Sequence, residues 1–148
     1  MKFRTVLLAA AIAVSGVTFA GAAGEPQVVR QETMKNVGGS VGALAKFAKG
    51  ETAYDAAAVI AALQVISDSM ATFPEQFPVG SETGMDSEAA PAIWTNMDDF
   101  KAKAAKLKAD ADAAIAAAPA DAAALGALFG PMTQNCGACH ETYRLKKG

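Results

Sequence analysis

The chain contains very little cysteine and histidine. Its 148 residues include two Cys, one His and one Trp, and aromatic residues make up only 7%. A structural zinc site normally needs four Cys or His ligands, usually as two spaced pairs, and this chain has three such residues in all. The composition therefore argues against a zinc-stabilised fold.

Strand-like patterning is also missing. β-Branched residues are sparse, alanine dominates, and no stretch longer than a few residues alternates between apolar and polar. A sheet is therefore unexpected, and apolar residues instead recur at steps of three and four, which predicts an all-α protein.

Long apolar runs occur in one place, the N-terminus. Lys2 and Arg4 precede the apolar run 6–14, and small residues follow at 20–23. This pattern predicts a signal peptide over residues 1–22, cleaved near Ala22 and Ala23, and export to a bacterial periplasm. An uncleaved anchor is the alternative, but a membrane span needs about 20 strongly apolar residues, and polar residues and glycines interrupt this stretch after residue 14.

The remaining residues 23–148 suit one domain with one core. Removing Lys2 and Arg4 with the leader leaves 11 basic against 15 acidic residues, a net charge of −4. An acidic surface argues against nucleic acid and anionic membranes as partners. No second long apolar segment follows, so we predict no membrane span in the mature form.

Helix signals divide the domain into four segments around one irregular stretch at 73–90, where Pro and Gly cluster. Four consecutive helices favour an antiparallel four-helix bundle, a fold that binds cofactors between facing helices. Thr52 is the predicted N-cap of the second helix and Asp121 that of the fourth. The predicted helices run from about Gln27 to Lys49, from near Thr52 to Pro74, from about Pro91 to Pro119, and from Asp121 towards the C-terminus.

The third and fourth predicted helices each carry an apolar face. A heptad-like seam along the third suits packing against near-parallel helices, and its Lys and Asp residues form a solvated face. Pro131, beside Gly130, predicts a bend or short break in the fourth helix because proline lacks an N–H. The two faces comprise Ile93, Met97, Phe100, Ala104, Leu107, Ala111 and Ala114, and Leu125, Leu128, Phe129, Met132, Cys136, Cys139 and Tyr143.

Both cysteines and the only histidine lie in one pentapeptide, Cys136-Gly137-Ala138-Cys139-His140. A CxxCH run is typical of covalent haem attachment, and two thiols three residues apart share one helix face. His140, four residues after Cys136, is then the predicted proximal ligand of the iron. The alternatives are a dithiol or disulfide and a zinc site, but a thioredoxin-like CxxC follows a strand, whereas this one follows a long helical stretch.

With this motif in its last helix, the chain resembles the class II c-type cytochromes, the cytochrome c prime family. The resemblance spans the whole mature chain and implies a haem c bundle near the C-terminal helix that serves electron transport. It rests on Arg30-Gln31, on residues 54–57, on Ile93-Trp94 with Phe100, and on residues 136–144.

The resemblance also implies a residue for the distal side of the iron. Met34, four residues after Arg30, matches the position where the low-spin relatives carry a methionine ligand, whereas high-spin members carry an apolar blocker and bind nitric oxide or carbon monoxide there. Met34 is therefore the predicted distal ligand, and its alternative role is core packing.

Two arginines are further candidates for the haem environment. Arg144 lies one helical turn after His140, and in the family the matching arginine borders the proximal side; the alternative is an exposed basic C-terminus. Arg30 lies one turn before Met34, and its guanidinium geometry suits a haem propionate.

These residues together predict a haem c electron carrier that exchanges electrons with redox partner proteins. Because iron uses the only histidine and no nucleophile with a base remains, we expect no enzyme activity. The alternatives are a gas-binding high-spin cytochrome c prime and a thiol-disulfide oxidoreductase with free thiols. We expect the mature protein to be a monomer or a homodimer.

Overall fold

The structure, a computed structural model, describes residues 24–146, so the predicted leader lies outside it. Within these residues there are five α-helices and one turn of 3₁₀ helix, and the only β pairing is an isolated antiparallel bridge between Ala89 and Arg144. The helices are α1 (Pro26–Ala48), α2 (Ala56–Thr72), α3 (Ala92–Thr95), α4 (Met97–Ala117) and α5 (Ala122–Tyr143), with the 3₁₀ turn at Phe73–Gln76.

The four long helices form a bundle in chain order. Helix α1 packs against α2 and α5, and α4 packs against the same two helices, so helices consecutive in the chain are neighbours and α5 closes the ring against α1. This arrangement confirms the predicted all-α four-helix bundle. It also sets the helix that carries the CxxCH motif directly beside the helix that carries Met34.

Two predicted N-caps have different outcomes. Asp121 caps α5 as expected, and its carboxylate accepts a hydrogen bond from Ala124 N at 2.8 Å. For α2 the prediction of Thr52 is wrong, because Asp55 is the cap: its backbone is extended and its carboxylate accepts from Ala58 N at 3.0 Å. A carboxylate next to the first turn satisfies that orphan N–H directly.

The predicted third helix is divided in two. Asn96, with φ −130° and ψ 45°, separates α3 from α4. Asparagine favours such boundaries because its short amide competes with the helical backbone for local hydrogen bonds. The predicted seam survives the division: its members in α3 and α4 are buried, apart from the half-buried Met97.

Helix α5 runs through Pro131 without the break that was one of our two expectations. Pro131 removes the helical partner of the Ala127 carbonyl, and both residues are exposed, so this end of the lost hydrogen bond faces solvent and not the core. The Thr133 hydroxyl donates to Gly130 O at 2.8 Å in the same turn. The haem-motif residues therefore belong to one continuous helix.

Helix α2 supplies much of the core. By length and composition alone, Ala56–Gln76 is long and apolar enough to cross a membrane. In the bundle, however, Val59, Leu63 and Ile66 are fully buried against the neighbouring helices. The same core includes Leu44 of α1, Phe100, Leu107 and Ala111 of α4, and Leu125 and Met132 of α5.

Candidate functional site

The CxxCH motif lies on α5 with its two thiols turned towards the core. Cys136 and Cys139 are half-buried, pack against the core cluster and form no disulfide with each other. His140 is exposed on the same helix. The buried Met132 and Tyr143 on either side of the motif fix this face of α5 against the bundle, which is why the thiols point inward.

Burial affects the protonation of all three side chains. It raises the pKa of the Cys136 and Cys139 thiols, and Lys103 partly opposes the shift at Cys139. Although His140 is exposed overall, partial desolvation beside the bundle lowers its pKa, as does the nearby charge of Arg144, while Glu88 acts in the opposite direction. A lowered pKa favours the uncharged imidazole, which is the form that binds a metal.

An open groove of about 450 Å³ borders the motif beside His140. That volume lies within the range of roughly 300–1,000 Å³ that is usual for ligand sites. Its walls include Gly137 and Glu141 of α5, Arg144 and Leu145 just after it, and Glu88 from the loop before α3. His140, the predicted proximal ligand, therefore lies in this groove together with the charged residues Glu88, Glu141 and Arg144.

Arg144 lines this groove together with His140, one helical turn before it. Its Nε donates to Glu88 Oε2 at 2.6 Å, although the side chain is 55% exposed. The Ala89–Arg144 bridge holds the backbone at the same point. Arg144 is therefore an ordered, paired side chain and not part of a loose basic tail.

Met34 is half-buried on α1 and packs against the same core cluster that Cys136 and Cys139 pack against. The other methionines of the described residues differ in position. Met70 and Met132 are buried in the core, Met97 is half-buried on α4, and Met85 is 56% exposed in the loop. Met34 is thus the one methionine that α1 contributes to the core.

Arg30 makes contacts that the sequence did not reveal. It is only 4% exposed, and its three hydrogen bonds go to the loop between the 3₁₀ turn and α3: Nη1 to Ser81 Oγ, Nη2 to Ser81 O, and Nη2 to Ser87 Oγ. Burial lowers its pKa, and Glu82 opposes that shift. The serines in the loop were the only signal that could have pointed to this role.

Tyr143 forms a second contact between helices that the sequence pattern did not predict. Its hydroxyl donates to Asp99 Oδ2 of α4 at 2.5 Å, and its ring packs edge-on against Phe100 at 5.2 Å between centroids. The hydrogen bond to Asp99, followed by burial, raises the pKa of Tyr143 to about 12. This pair ties the end of α5 to α4 just beyond the motif.

We expect Tyr143 to stay protonated well above the ordinary tyrosine pKa of about 10. Because its folded pKa is raised, its contribution to stability is complete below about pH 10 and is lost as pH rises through about 12. An ultraviolet titration of the Tyr54→Phe variant isolates this phenol, and Asp99→Asn should move its pKa back towards about 10. Titration of Tyr143 near 10 with Asp99 intact would show that the pair does not form.

The donor atoms fit a haem. Within residues 24–146, no group of three or more His, Cys, Asp and Glu side chains could hold a metal ion. The motif instead offers two protonated, half-buried thiols for covalent attachment and one neutral imidazole, and α1 offers a thioether. Imidazole and thioether are axial ligands of iron in c-type cytochromes, where the porphyrin supplies the other four.

A four-helix bundle with CxxCH in its last helix defines a class II c-type cytochrome. The chain matches the family described as Cytochrome C' over residues 25–144, and it belongs to that family. It is a haem c electron-transfer protein, and its haem is covalently attached.

One relative and two solved structures illustrate the similarity. Cytochrome c-556 from Agrobacterium fabrum is 52% identical over 147 residues, which is 99% of each chain. The structure of cytochrome c' from Rhodopseudomonas palustris superposes with a TM-score of 0.80 at 35% identity, over 84% of this chain and 99% of that one. A nitric oxide complex of a cytochrome c prime variant from Alcaligenes xylosoxidans superposes with a TM-score of 0.72 at 32% identity, over 82% and 94%.

Proposed function

We propose that this protein is a periplasmic electron carrier with low-spin, six-coordinate iron. In this proposal Cys136 and Cys139 attach the haem, His140 is the proximal ligand and Met34 is the distal ligand. The observation that carries it is the half-buried Met34 on α1, which packs against the same core cluster as the two cysteines of the adjacent α5. Residues 1–22 act as the signal peptide that directs the chain to the periplasm.

The haem, when bound, supplies an iron that cycles between two oxidation states. The protein would hold both iron ligands, His140 and Met34, in place. The coordination of the iron would then change little when an electron is gained or lost. His140 is suited to this because its imidazole, an axial ligand of haem iron, lies on the same helix as the two cysteines. A thioether is a soft ligand that favours the reduced iron, so His/Met ligation raises the reduction potential. With both positions filled no substrate reaches the iron, which supports a carrier and not an enzyme.

Gas binding is the second candidate. A family member from Alcaligenes xylosoxidans has been solved as a nitric oxide complex, which favours this function for the fold in general. For this chain it requires Met34 to leave the iron or never to bind it. The two candidate functions therefore differ in whether the bond between Met34 and the iron is present.

An absorption spectrum of the holoprotein, recorded with and without carbon monoxide, distinguishes them. The carrier should be low-spin in both oxidation states, and the reduced spectrum should not change when carbon monoxide is added. A wild-type protein that is high-spin and binds carbon monoxide directly would refute the Met34 ligand and favour gas binding.

A further inference from the structure

Residues 81–90 form a segment, here called the strap, that contacts both helices with predicted iron ligands. On the α1 side, Gln27 Nε2 donates to Thr83 O at 2.8 Å and Gln31 Nε2 donates to Met85 O at 2.7 Å. Both bonds bring together residues more than 50 positions apart in the chain. The strap is therefore fastened to the first two turns of α1 by side chains of that helix.

Arg30 is the centre of this attachment. Its three hydrogen bonds to Ser81 and Ser87 have lengths of 2.6 to 3.1 Å, and Ser81, like Arg30, is buried with 4% exposure. Its guanidinium also lies 5.0 Å from the ring centroid of Phe77 and 5.7 Å from that of Trp94. Hydrogen bonds in the guanidinium plane and aromatic rings over it use the planar shape of arginine, which lysine lacks.

The other end of the strap is fastened to the end of α5. Ala90 N donates to Tyr143 O at 3.0 Å, and Leu145 N donates to Glu88 O at 2.8 Å. The ion pair of Glu88 with Arg144, in the groove beside the motif, adds a side-chain contact at the same place. The strap thus spans from α1 to the part of α5 that immediately follows His140.

From this geometry we propose that Arg30 is a positioning residue for the bond between Met34 and the iron. Arg30 holds the strap on α1 one turn before Met34, and the strap holds the end of α5 just after His140. The two helices are thereby kept at the spacing that lets both side chains reach the iron together. This inference rests on the proposed function, since it assumes that Met34 is the distal ligand.

The inference differs from the propionate role that the sequence suggested for Arg30. A propionate contact depends mainly on positive charge, which lysine retains. Attachment of the strap depends on the guanidinium shape, because one ammonium group cannot reproduce its in-plane hydrogen bonds together with its stacking. Substitution of Arg30 by lysine therefore distinguishes the two roles.

The test is Arg30→Lys in the holoprotein, measured by carbon monoxide binding to the reduced form. Losing one hydrogen bond to a charged group shifts a local equilibrium by about tenfold. We therefore expect the fraction of reduced protein with Met34 off the iron to rise by about tenfold or more, so that the variant binds carbon monoxide under conditions where the wild-type spectrum does not change. Ser87→Ala, which removes one acceptor of Arg30, should act in the same direction with a smaller effect.

Ser67→Ala is the matched control. Ser67 is buried with 2% exposure, and its hydroxyl donates to Asp112 Oδ1 at 2.5 Å, a contact between α2 and α4 away from the strap. Its loss should lower the melting temperature without changing the carbon monoxide reaction. A change in this control as large as in Arg30→Lys would mean that general destabilisation explains the effect, and it would overturn the inference.

The remaining outcomes are also decisive. A low-spin wild type whose Arg30→Lys and Ser87→Ala variants stay as unreactive as the parent would refute the strap role and leave the carrier function intact. A high-spin wild type would refute the low-spin proposal, and with it the bond between Met34 and the iron that Arg30 is proposed to position, before any variant is made. If Arg30→Lys does not fold, Ser87→Ala alone decides between the strap and an unrelated role.

Discussion

Replacing Met34 with alanine should convert the iron from low-spin to high-spin and make the reduced protein bind carbon monoxide. The thioether is the proposed sixth ligand, and no other methionine among the described residues projects from α1. Without it the distal position opens to a gas molecule. The reduction potential should fall as well, because the soft sulfur ligand that favours reduced iron is lost.

Met34→Leu separates ligation from packing. Leucine has nearly the volume of methionine, and such swaps usually cost less than about 1.5 kcal/mol of stability. If Met34 binds iron, the leucine variant should become high-spin as fully as the alanine variant. If Met34 only fills the core, the leucine variant should keep the wild-type spectrum, and the ligand assignment would be wrong.

Met97→Ala is the matched control for these variants. Met97 is also half-buried and packs against the same core cluster, but it lies on α4. Its removal should lower stability and leave the spectrum low-spin. Conversion to high-spin in Met97→Ala would instead identify the distal ligand as a residue of α4.

Replacing both cysteines, as in Cys136→Ala with Cys139→Ala, should abolish covalent haem attachment completely. Each thioether bond needs one thiol, and the chain contains only these two cysteines. The purified variant should have the mass of the polypeptide alone after denaturation. Any haem it retains should extract into acidified organic solvent, whereas the wild-type haem should remain with the protein.

The single variants Cys136→Ala and Cys139→Ala control for folding, since each leaves one attachment point in an otherwise unchanged helix. We expect each to retain some covalent haem in denaturing electrophoresis stained for haem. Covalent haem in the double variant would show that another residue carries the cofactor and would refute the motif assignment.

The local features of this protein could be predicted from its sequence. The helical periodicity predicted the bundle, and Asp121 was correctly predicted to cap the start of α5. These predictions succeeded because each depends on residues within one or two helical turns of each other. A motif of five consecutive residues, such as CxxCH, can be recognised from the sequence for the same reason.

Two helix boundaries were placed wrongly, and contacts between distant residues were missed. The backbone at Asn96 divides the predicted third helix, and Asp55 takes the capping role expected of Thr52, because neighbouring polar residues compete for the same backbone groups. The hydrogen bonds of Arg30 could not be predicted from the sequence. Its hydrogen-bond acceptors, Ser81 and Ser87, lie more than 50 residues away, in a stretch that the sequence describes only as irregular.

The most direct test of the account is the proton NMR spectrum of the reduced wild-type holoprotein. If Met34 binds the iron, the ring current of the porphyrin should move one methionine methyl signal far upfield of the ordinary methyl region, and this signal should disappear in Met34→Leu. The other methionine methyl signals should stay in their usual range. A reduced protein in which every methionine methyl resonates in the ordinary region would contradict His/Met ligation.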